Sequence, residues 1–485
     1  MSSKKAIKVR KMKQSFQNLS LETLCKSLAI SGLVLFLFYT LLFNQLYNHS
    51  ITYFSPHFKV IWPASSSNVT SPTNINHIVF GIAGTVNGWK YRRAYVEAWW
   101  RPNVTRGYLF LERFPSREFL PWPPSSPPFR VNENITRLKS YEKIKNSFQV
   151  RVFRTILETF REGDEDVRWY VMADDDTILF VDNLVEVLAK YDHTQYLYIG
   201  TNSECVSSNF HASFNMAFGG AGYALSYPLV EALAAKFDKC VEKYQNLYAS
   251  DLMLYSCLAD LGVTLTLEKG FHQIDLHSDI SGLLSALPQI PVLSLHHLDV
   301  INPIFPSMSR SKSINHLMKA AKLDHSRLLQ QTICYDMQRN WSFSISWGYT
   351  THIYESILPR NFVVKPLETF RPWRRSDRQP LYMFNTRGIT RNSCEAPHVF
   401  FFHSAENSTE NKIATTYLRA LPRNLPPCSN SGNISADSIN TIHVFSPATE
   451  HKRMGKTECC DVEKMRDVNV TDIKLRKCTK DEIIS

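Results

Sequence analysis

Arg168-Trp169-Tyr170-Val171-Met172-Ala173-Asp174-Asp175-Asp176-Thr177 runs from an aromatic and aliphatic stretch straight into three carboxylates. A strand apolar at successive positions must be covered on both faces, as in the centre of a layered α/β domain. The surrounding sequence supplies the other layers. HIVFGIAG (77–84) is a β-rich run ending in glycine, and 89–100 reads as helix. GYLFLE (107–112) is a second strand, followed by a Pro-rich loop (115–128) and a long helical candidate (140–161). Helices are expected over 182–191, 227–237 and 250–261, and strands over 196–200 and 263–267. Strands alternating with helices predict an α/β fold with a mainly parallel central sheet.

The texture changes after Pro306. Short β-prone runs such as WSFSISWGY (341–349) and HVFFFH (398–403) dominate, with six cysteines. This predicts a β-rich, disulfide-stapled accessory region over 307–485, following an α/β domain over 76–306.

The N-terminal end carries a different signal. From Ser27 to Phe58 there is no Asp, Glu, Lys or Arg, and LAISGLVLFLFYTLLF (28–43) is nearly all apolar. Residues 27–47 are long enough to predict one membrane-spanning helix. Bulky Phe43, Leu46 and Tyr47 follow where a signal peptide would have small residues, so the anchor is expected to stay uncleaved. Seven basic residues and one acid precede Ser27, so six of the net +11 charges sit in the 1–26 tail. That bias predicts a cytoplasmic tail and type II topology. The remaining excess is small for a nucleic-acid binder, and no nucleic-acid partner is expected.

Residues 48–75, polar with a serine run, read as a stem. Past the anchor lie eight Asn-x-Ser/Thr sites, at Asn48, Asn68, Asn103, Asn134, Asn340, Asn407, Asn433 and Asn469. They are candidates for N-glycosylation in a lumenal segment. Nine of the ten cysteines lie there too, which suits an oxidising compartment and leaves at least one unpaired within the chain.

Four features carry chemistry. Three adjacent acids raise one another's pKa unless a hard divalent cation or an equivalent charge compensates. At the C-terminal end of a parallel strand they stand where open α/β sheets bind ligands, though an acidic run also serves as a simple turn. FGGAGY (218–223) lets backbone approach a ligand or turn sharply. Ser250-Asp251 opens a helix, as a cap or as a free carboxylate. His296-His297, followed by Asp299, offers imidazole ligands.

In that order, with Arg92-Arg93-x₅-Trp99, GFHQID (270–275) and SLHHLD (294–299), these motifs make the segment from His77 to Pro306 resemble the fringe-like β-1,3-glycosyltransferases of glycosyltransferase family 31. The nearest resemblance is to the plant fringe-related group known only as a domain of unknown function. QTICYDMQRNWSFSISWGY (331–349) extends it toward the C-terminus.

The resemblance implies a GT-A type nucleotide-sugar fold. It implies inverting transfer of a hexose or N-acetylhexosamine from a UDP-sugar to a glycan acceptor, through a β-1,3 linkage. It further implies a Mn²⁺ or Mg²⁺ cofactor and a single-pass Golgi membrane protein with its catalytic part in the lumen. Carried over by residue, Asp176 is a metal ligand and His296 or His297 another. Asp174 and Asp175 face the donor with Gly219, Gly220 and Gly222, joined by Arg92 and Arg93. Asp251 is the general base, and His272 is a further candidate near the site. Cys240 and Cys257 flank the Asp251 helix start and are expected to bridge. The competing reading is a glycan-binding or scaffolding protein that keeps the fold without turnover.

Overall fold

In the computed structural model, β1 (Ile78–Ala83) and β4 (Trp169–Asp174) lie parallel and adjacent, in register from Ile78 with Trp169 to Ala83 with Asp174. The structure describes residues 30–40, 71–138, 141–374, 379–408, 412–428, 435–448, 458–463, 469–480 and 482. The chain divides into two units, Met1–Ser71 and Pro72–Ser485. In the first, residues 30–40 form a helix with exposed side chains. Among the described residues no helix is long and apolar enough to cross a membrane. The 1–26 tail, the rest of the expected 27–47 anchor and most of the 48–75 stem lie outside the described residues.

In the second unit, β1 is followed by α1 (Val86–Glu97), β2 (Arg106–Leu111), β3 (Phe129–Val131) and α2 (Ser147–Arg161), and then by β4. Next come β5 (Ile178–Leu179), α3 (Val181–Leu188), β6 (Tyr198–Gly200), α4 (Val206–His211), β7 (Tyr223–Ser226), α5 (Tyr227–Ala234), α6 (Phe237–Tyr244) and α7 (Ser250–Asp260). β8 (Leu265–Leu267), β9 (Leu276–Ser278), α8 (Ser281–Leu284), β10 (Ser294–Leu295) and α9 (Arg310–Leu323) complete the α/β part. The helix expected over 140–161 begins only at Ser147, because the Asn146 side chain accepts from Gln149 N and caps it there.

The sheet order is β3-β2-β1-β4-β7-β6-β8, and β7 alone runs antiparallel to its two neighbours. The mixed, mainly parallel sheet matches the expectation. Its faces separate by strict alternation. Ile78, Phe80 and Ile82 with Trp169, Val171 and Ala173 enter one apolar cluster, and Val79 with Tyr170 and Met172 enters the other. Each such buried large side chain contributes about 1.5–3 kcal/mol, which is why β4 shows no polar position before Asp174.

The second sheet joins β11 (Gln331–Asp336), β12 (Trp341–Ser346), β13 (Thr350–Tyr354), β15 (His398–Ser408), β16 (Lys412–Arg419), β17 (Thr441–Pro447), β19 (Val470–Lys477) and β18 (Glu458–Val462), in that order. It curls until its two end strands meet, where Cys334 of β11 is bridged to Cys460 of β18. Its inner face, including Phe343, Phe400, Tyr417, Val444 and Ile473, belongs to the same cluster as Phe80 and Trp169. The 306/307 boundary is therefore crossed by one continuous core. It is crossed again by β14 (Phe370–Pro372), which pairs antiparallel with β9.

Further bridges join Cys240–Cys257, Cys394–Cys428 and Cys459–Cys478. The first is the expected pair and ties α6 to α7. Among the described residues Cys205 is the free cysteine, and it is buried. Asn103, Asn134, Asn340, Asn407 and Asn469 are all exposed, while Asn48, Asn68 and Asn433 lie outside the described residues.

Candidate active site

Asp174 is the last residue of β4, and the chain turns immediately after it. Thr177 makes that turn: its N–H donates to Asp174 O, and its hydroxyl donates to Gly220 O at 2.7 Å. The hydroxyl also accepts from Asp174 N. One threonine thus fixes the three acids and the glycine turn against each other.

Arg92 of α1 answers the acids. Its guanidinium lies 3.0 Å from Asp175, 3.1 Å from Asp176 and 2.8 Å from Asp299. Asp175 and Asp176 side chains are each only 3% exposed. Burial and the neighbouring Asp176 raise Asp175 to about 6, against the opposing pull of Arg92. Burial alone would raise Asp176 too, but His296 and Arg92 outweigh it and hold Asp176 below the usual carboxylate range.

His296 stands opposite, on the segment leaving β10. Its Nε2 is 3.2 Å from Asp176 Oδ1 and 3.9 Å from Asp174 Oδ2. Its Nδ1 lies 3.3 Å from the Gln273 carbonyl. With the Nδ1 proton directed at that carbonyl, Nε2 faces the acids: it carries a proton there in the absence of a cation and would offer its lone pair to a cation that displaced that proton. Burial would lower the His296 pKa, but Asp176 and Asp174 raise it to about 9. Asp174, Asp176 and His296 each offer one ligand atom, all within 4.8 Å of one another. Asp176 Oδ1 is buried and accepts no hydrogen bond. Two carboxylate oxygens and one imidazole nitrogen form a donor set for a divalent cation, the oxygens suiting Mn²⁺ or Mg²⁺, and the orphaned oxygen leaves a lone pair for such an ion.

Asp251 lies in the first turn of α7. Ala249 is the N-cap, so Asp251 is not consumed in capping. It lines the same cleft as the acids and His296. Its enclosure raises its pKa, opposed by the Gly219 backbone and the Ser250 hydroxyl. A carboxylate so raised is a better proton acceptor. Gly220 lines the cleft between these groups, and Gly219 packs against Asp251 beside it. A Cβ on Gly219 would stand 2.5 Å from Asp251 Oδ1, and one on Gly220 would meet the His296 ring. Gly222, at φ +83°, sets the turn behind them and does not line the cleft.

The cleft has a volume of about 490 Å³. It gathers Arg92, Asp174, Asp175, Asp176, Gly220, Asp251, His296 and His297. The geometry sets several of these residues apart. Asp174 stands with Asp176 and His296 in the group that could hold a cation, and it lines the cleft as well. His297 turns away from it, with Nδ1 3.2 Å from Asp275. Arg93 is outside the cleft, 51% exposed and facing Glu97 at 3.9 Å, because neighbouring helical residues point about 100° apart. His272 sits behind the wall, its Nδ1 3.0 Å from Glu204 and its carbonyl accepting from His296 N.

The sequence reading missed Trp373 and Arg374, which line the cleft from the segment after β14. It also missed Asp275, whose backbone carbonyl accepts from Trp373 N. A second acid–imidazole group, Glu355, His398 and Asp437, lies in the β-rich part. Arg419 donates to His398 Nδ1 and Arg423 lies 3.3 Å from Glu355, so fixed guanidinium charge already fills the role of a cation there.

The family described as protein of unknown function, DUF604, matches residues 208–460. Two proteins named beta-1,3-glucosyltransferase are similar. The one from Homo sapiens is 29% identical over 119 residues, 24% of this chain and 23% of its own length. The one from Mus musculus is 28% identical over 153 residues, 31% of this chain and 29% of its own length. The chain thus spans less than a third of the curated relatives it matches. Among solved structures, a glycosyltransferase involved in the glycosylation of the major capsid of PBCV-1 aligns with a TM-score of 0.27 at 12% identity. That alignment covers 49% of this chain and 97% of the other.

Proposed function

We propose that this chain, which belongs to the family described as protein of unknown function DUF604, is an inverting glycosyltransferase. It would pass a hexose or N-acetylhexosamine from a UDP-sugar to a glycan hydroxyl, with a β-1,3 linkage. One observation carries the reading: a single cleft holds the Asp174, Asp176 and His296 ligand group and, beyond two glycines, the raised carboxylate of Asp251. The names of the two similar proteins support the reaction class and the linkage.

In this reading the acceptor hydroxyl gives its proton to the Asp251 carboxylate. Its oxygen forms a bond to the anomeric carbon as the bond from that carbon to the diphosphate oxygen breaks. The electron pair leaves with UDP. A bound Mn²⁺ or Mg²⁺ would supply positive charge for the departing diphosphate. Asp174, Asp176 and His296 would hold it. Arg92 holds Asp175 and Asp176 in place, and from its position in the cleft lining it would also meet the nucleotide.

A Golgi lumenal setting with a type II anchor over 27–47 is part of the proposal. The four disulfides and the five exposed Asn-x-Ser/Thr sites favour an oxidising, glycosylating compartment.

The test is UDP release by the full chain in detergent, across a panel of UDP-sugars with Mn²⁺, with and without glycan acceptors. One preferred donor is expected, and Asp176→Ala should lose at least about a hundredfold in rate while remaining folded. Equal rates for Asp176→Ala and wild type would overturn the cation assignment. Binding of UDP and Mn²⁺ with no turnover of any donor would favour a glycan-binding protein instead.

A further inference from the structure

Four rings lie in a row that reaches the cleft wall, where Trp373, His297 and His296 line it and the last two are tilted by 34°. His277 of β9 lies on the Trp373 indole at 4.5 Å between centroids and 17° between planes. Trp373 also lies on His297, at 4.6 Å and 7°. His297 in turn lies against His296 at 3.8 Å. The row ends on the imidazole that faces Asp176.

His297 holds an unusual backbone. Its φ is +58°, the left-handed region that costs a branched or ringed residue free energy unless its surroundings fix it. Asp275 is near, 3.2 Å from His297 Nδ1. The His297 ring is held from two sides, by the Asp275 carboxylate and by the nearly parallel Trp373 indole. That tryptophan is itself anchored. Its N–H donates to Asp275 O at 2.9 Å, and Pro372 before it pairs with Leu276.

We infer that Trp373 is a positioning residue for the cation site: through His297 it fixes the orientation in which His296 presents Nε2 to Asp174 and Asp176. The inference rests on the cation-binding reading of the cleft. It makes the β-rich half of the chain a contributor to metal affinity, although none of its described residues belongs to the Asp174, Asp176 and His296 group. Groups that orient an imidazole ligand typically change metal affinity by about 10–100-fold when removed.

The experiment is titration of the full chain in detergent with Mn²⁺ alone, following free Mn²⁺ by electron paramagnetic resonance. Trp373→Leu, which keeps apolar bulk without a flat ring, should weaken binding about tenfold or more. Trp373→Phe, which keeps a ring to stack, should stay within about threefold of wild type. His297→Asn tolerates the left-handed backbone and removes the ring. It should weaken binding as Trp373→Leu does, and the double variant should be no worse than either alone. A merely structural role would lower the fraction of folded protein and leave the Mn²⁺ affinity of the folded remainder unchanged. Wild-type affinity in Trp373→Leu, or equal losses in the Leu and Phe variants, would overturn the inference while leaving the cation site standing. A wild-type chain that binds no Mn²⁺ would overturn both.

Discussion

His296 and Gly220 are packed so closely that a Cβ on the glycine would stand 2.1 Å from Cε1 of the imidazole and 2.4 Å from Nε2. The glycine is needed for space, not for backbone freedom: it sits in an ordinary short helical turn, and only Gly222 after it takes a positive φ. Gly220→Ala must therefore push His296 away from Asp176 or open the turn that Thr177 holds through Gly220 O. The expected result is a loss of at least about tenfold in Mn²⁺ affinity with secondary structure intact. Mn²⁺ titration with circular dichroism on the same sample checks it.

The neighbouring glycine separates the two halves of the chemistry. Gly219→Ala would place its methyl group 2.5 Å from Asp251 Oδ1, away from the His296 contact. Together with Asp251→Asn it should cut turnover by about a hundredfold or more. Mn²⁺ and UDP affinities should remain near wild type. Calorimetric titration of UDP in the presence of Mn²⁺ tests this, and a lost UDP affinity in Asp251→Asn would reassign that carboxylate to the donor site.

Arg92 and Arg93 give a paired prediction. Arg92 faces two nearly buried carboxylates and Asp299, so Arg92→Ala leaves buried charge without its partner. Removing one member of a fully buried group costs about 3–5 kcal/mol, and the 37% exposure of Arg92 brings its cost below that through solvent screening. Arg93 has an exposed contact with Glu97, of the kind worth about 0.3–0.5 kcal/mol. Arg93→Ala should leave both melting temperature and sugar transfer close to wild type, whereas Arg92→Ala should lower both. Thermal unfolding of the two variants side by side decides it.

These outcomes separate what the sequence carries from what it cannot. The buried strand before Asp174 was legible because the five residues from Trp169 to Ala173 offer no polar position, and the glycines because three in four positions are costly without a reason. Asp251 was legible as a carboxylate at a helix start, although only the structure shows that Ala249 takes the cap. The choice between Arg92 and Arg93 depends on helix rotation, and the choice between His296 and His297 on one left-handed residue. Trp373 lies far along the chain from His297, in a basic run with no periodic pattern. Its place is set by the β9–β14 ladder, a long-range pairing that local sequence does not encode.

Stability in the β-rich part depends on a buried carboxylate, Glu355. Glu355 accepts from Cys428 N at 2.7 Å, Ser435 Oγ at 2.8 Å and Ala436 N at 2.9 Å, with His398 Nε2 at 2.8 Å. Arg419 donates to His398 Nδ1, so Nε2 carries the ring proton and the imidazole can donate to Glu355 while neutral. Burial alone would raise the Glu355 pKa, but these donors outweigh it and lower it to about 2. The unfolded value is about 4.3. A folded pKa below the unfolded one means the native state binds this proton more weakly. Its stabilisation is therefore fully present above about pH 4.3 and is lost as pH falls through about 2, and two units correspond to roughly 3 kcal/mol. Glu355→Gln removes the charge and turns an amide N–H₂ toward donors. It should lower the melting temperature at pH 7, and the gap to wild type should narrow steadily between pH 4.5 and 2.5. Calorimetry of both proteins across that range checks it, and a gap independent of pH would mean that the Glu355 charge contributes nothing to the fold.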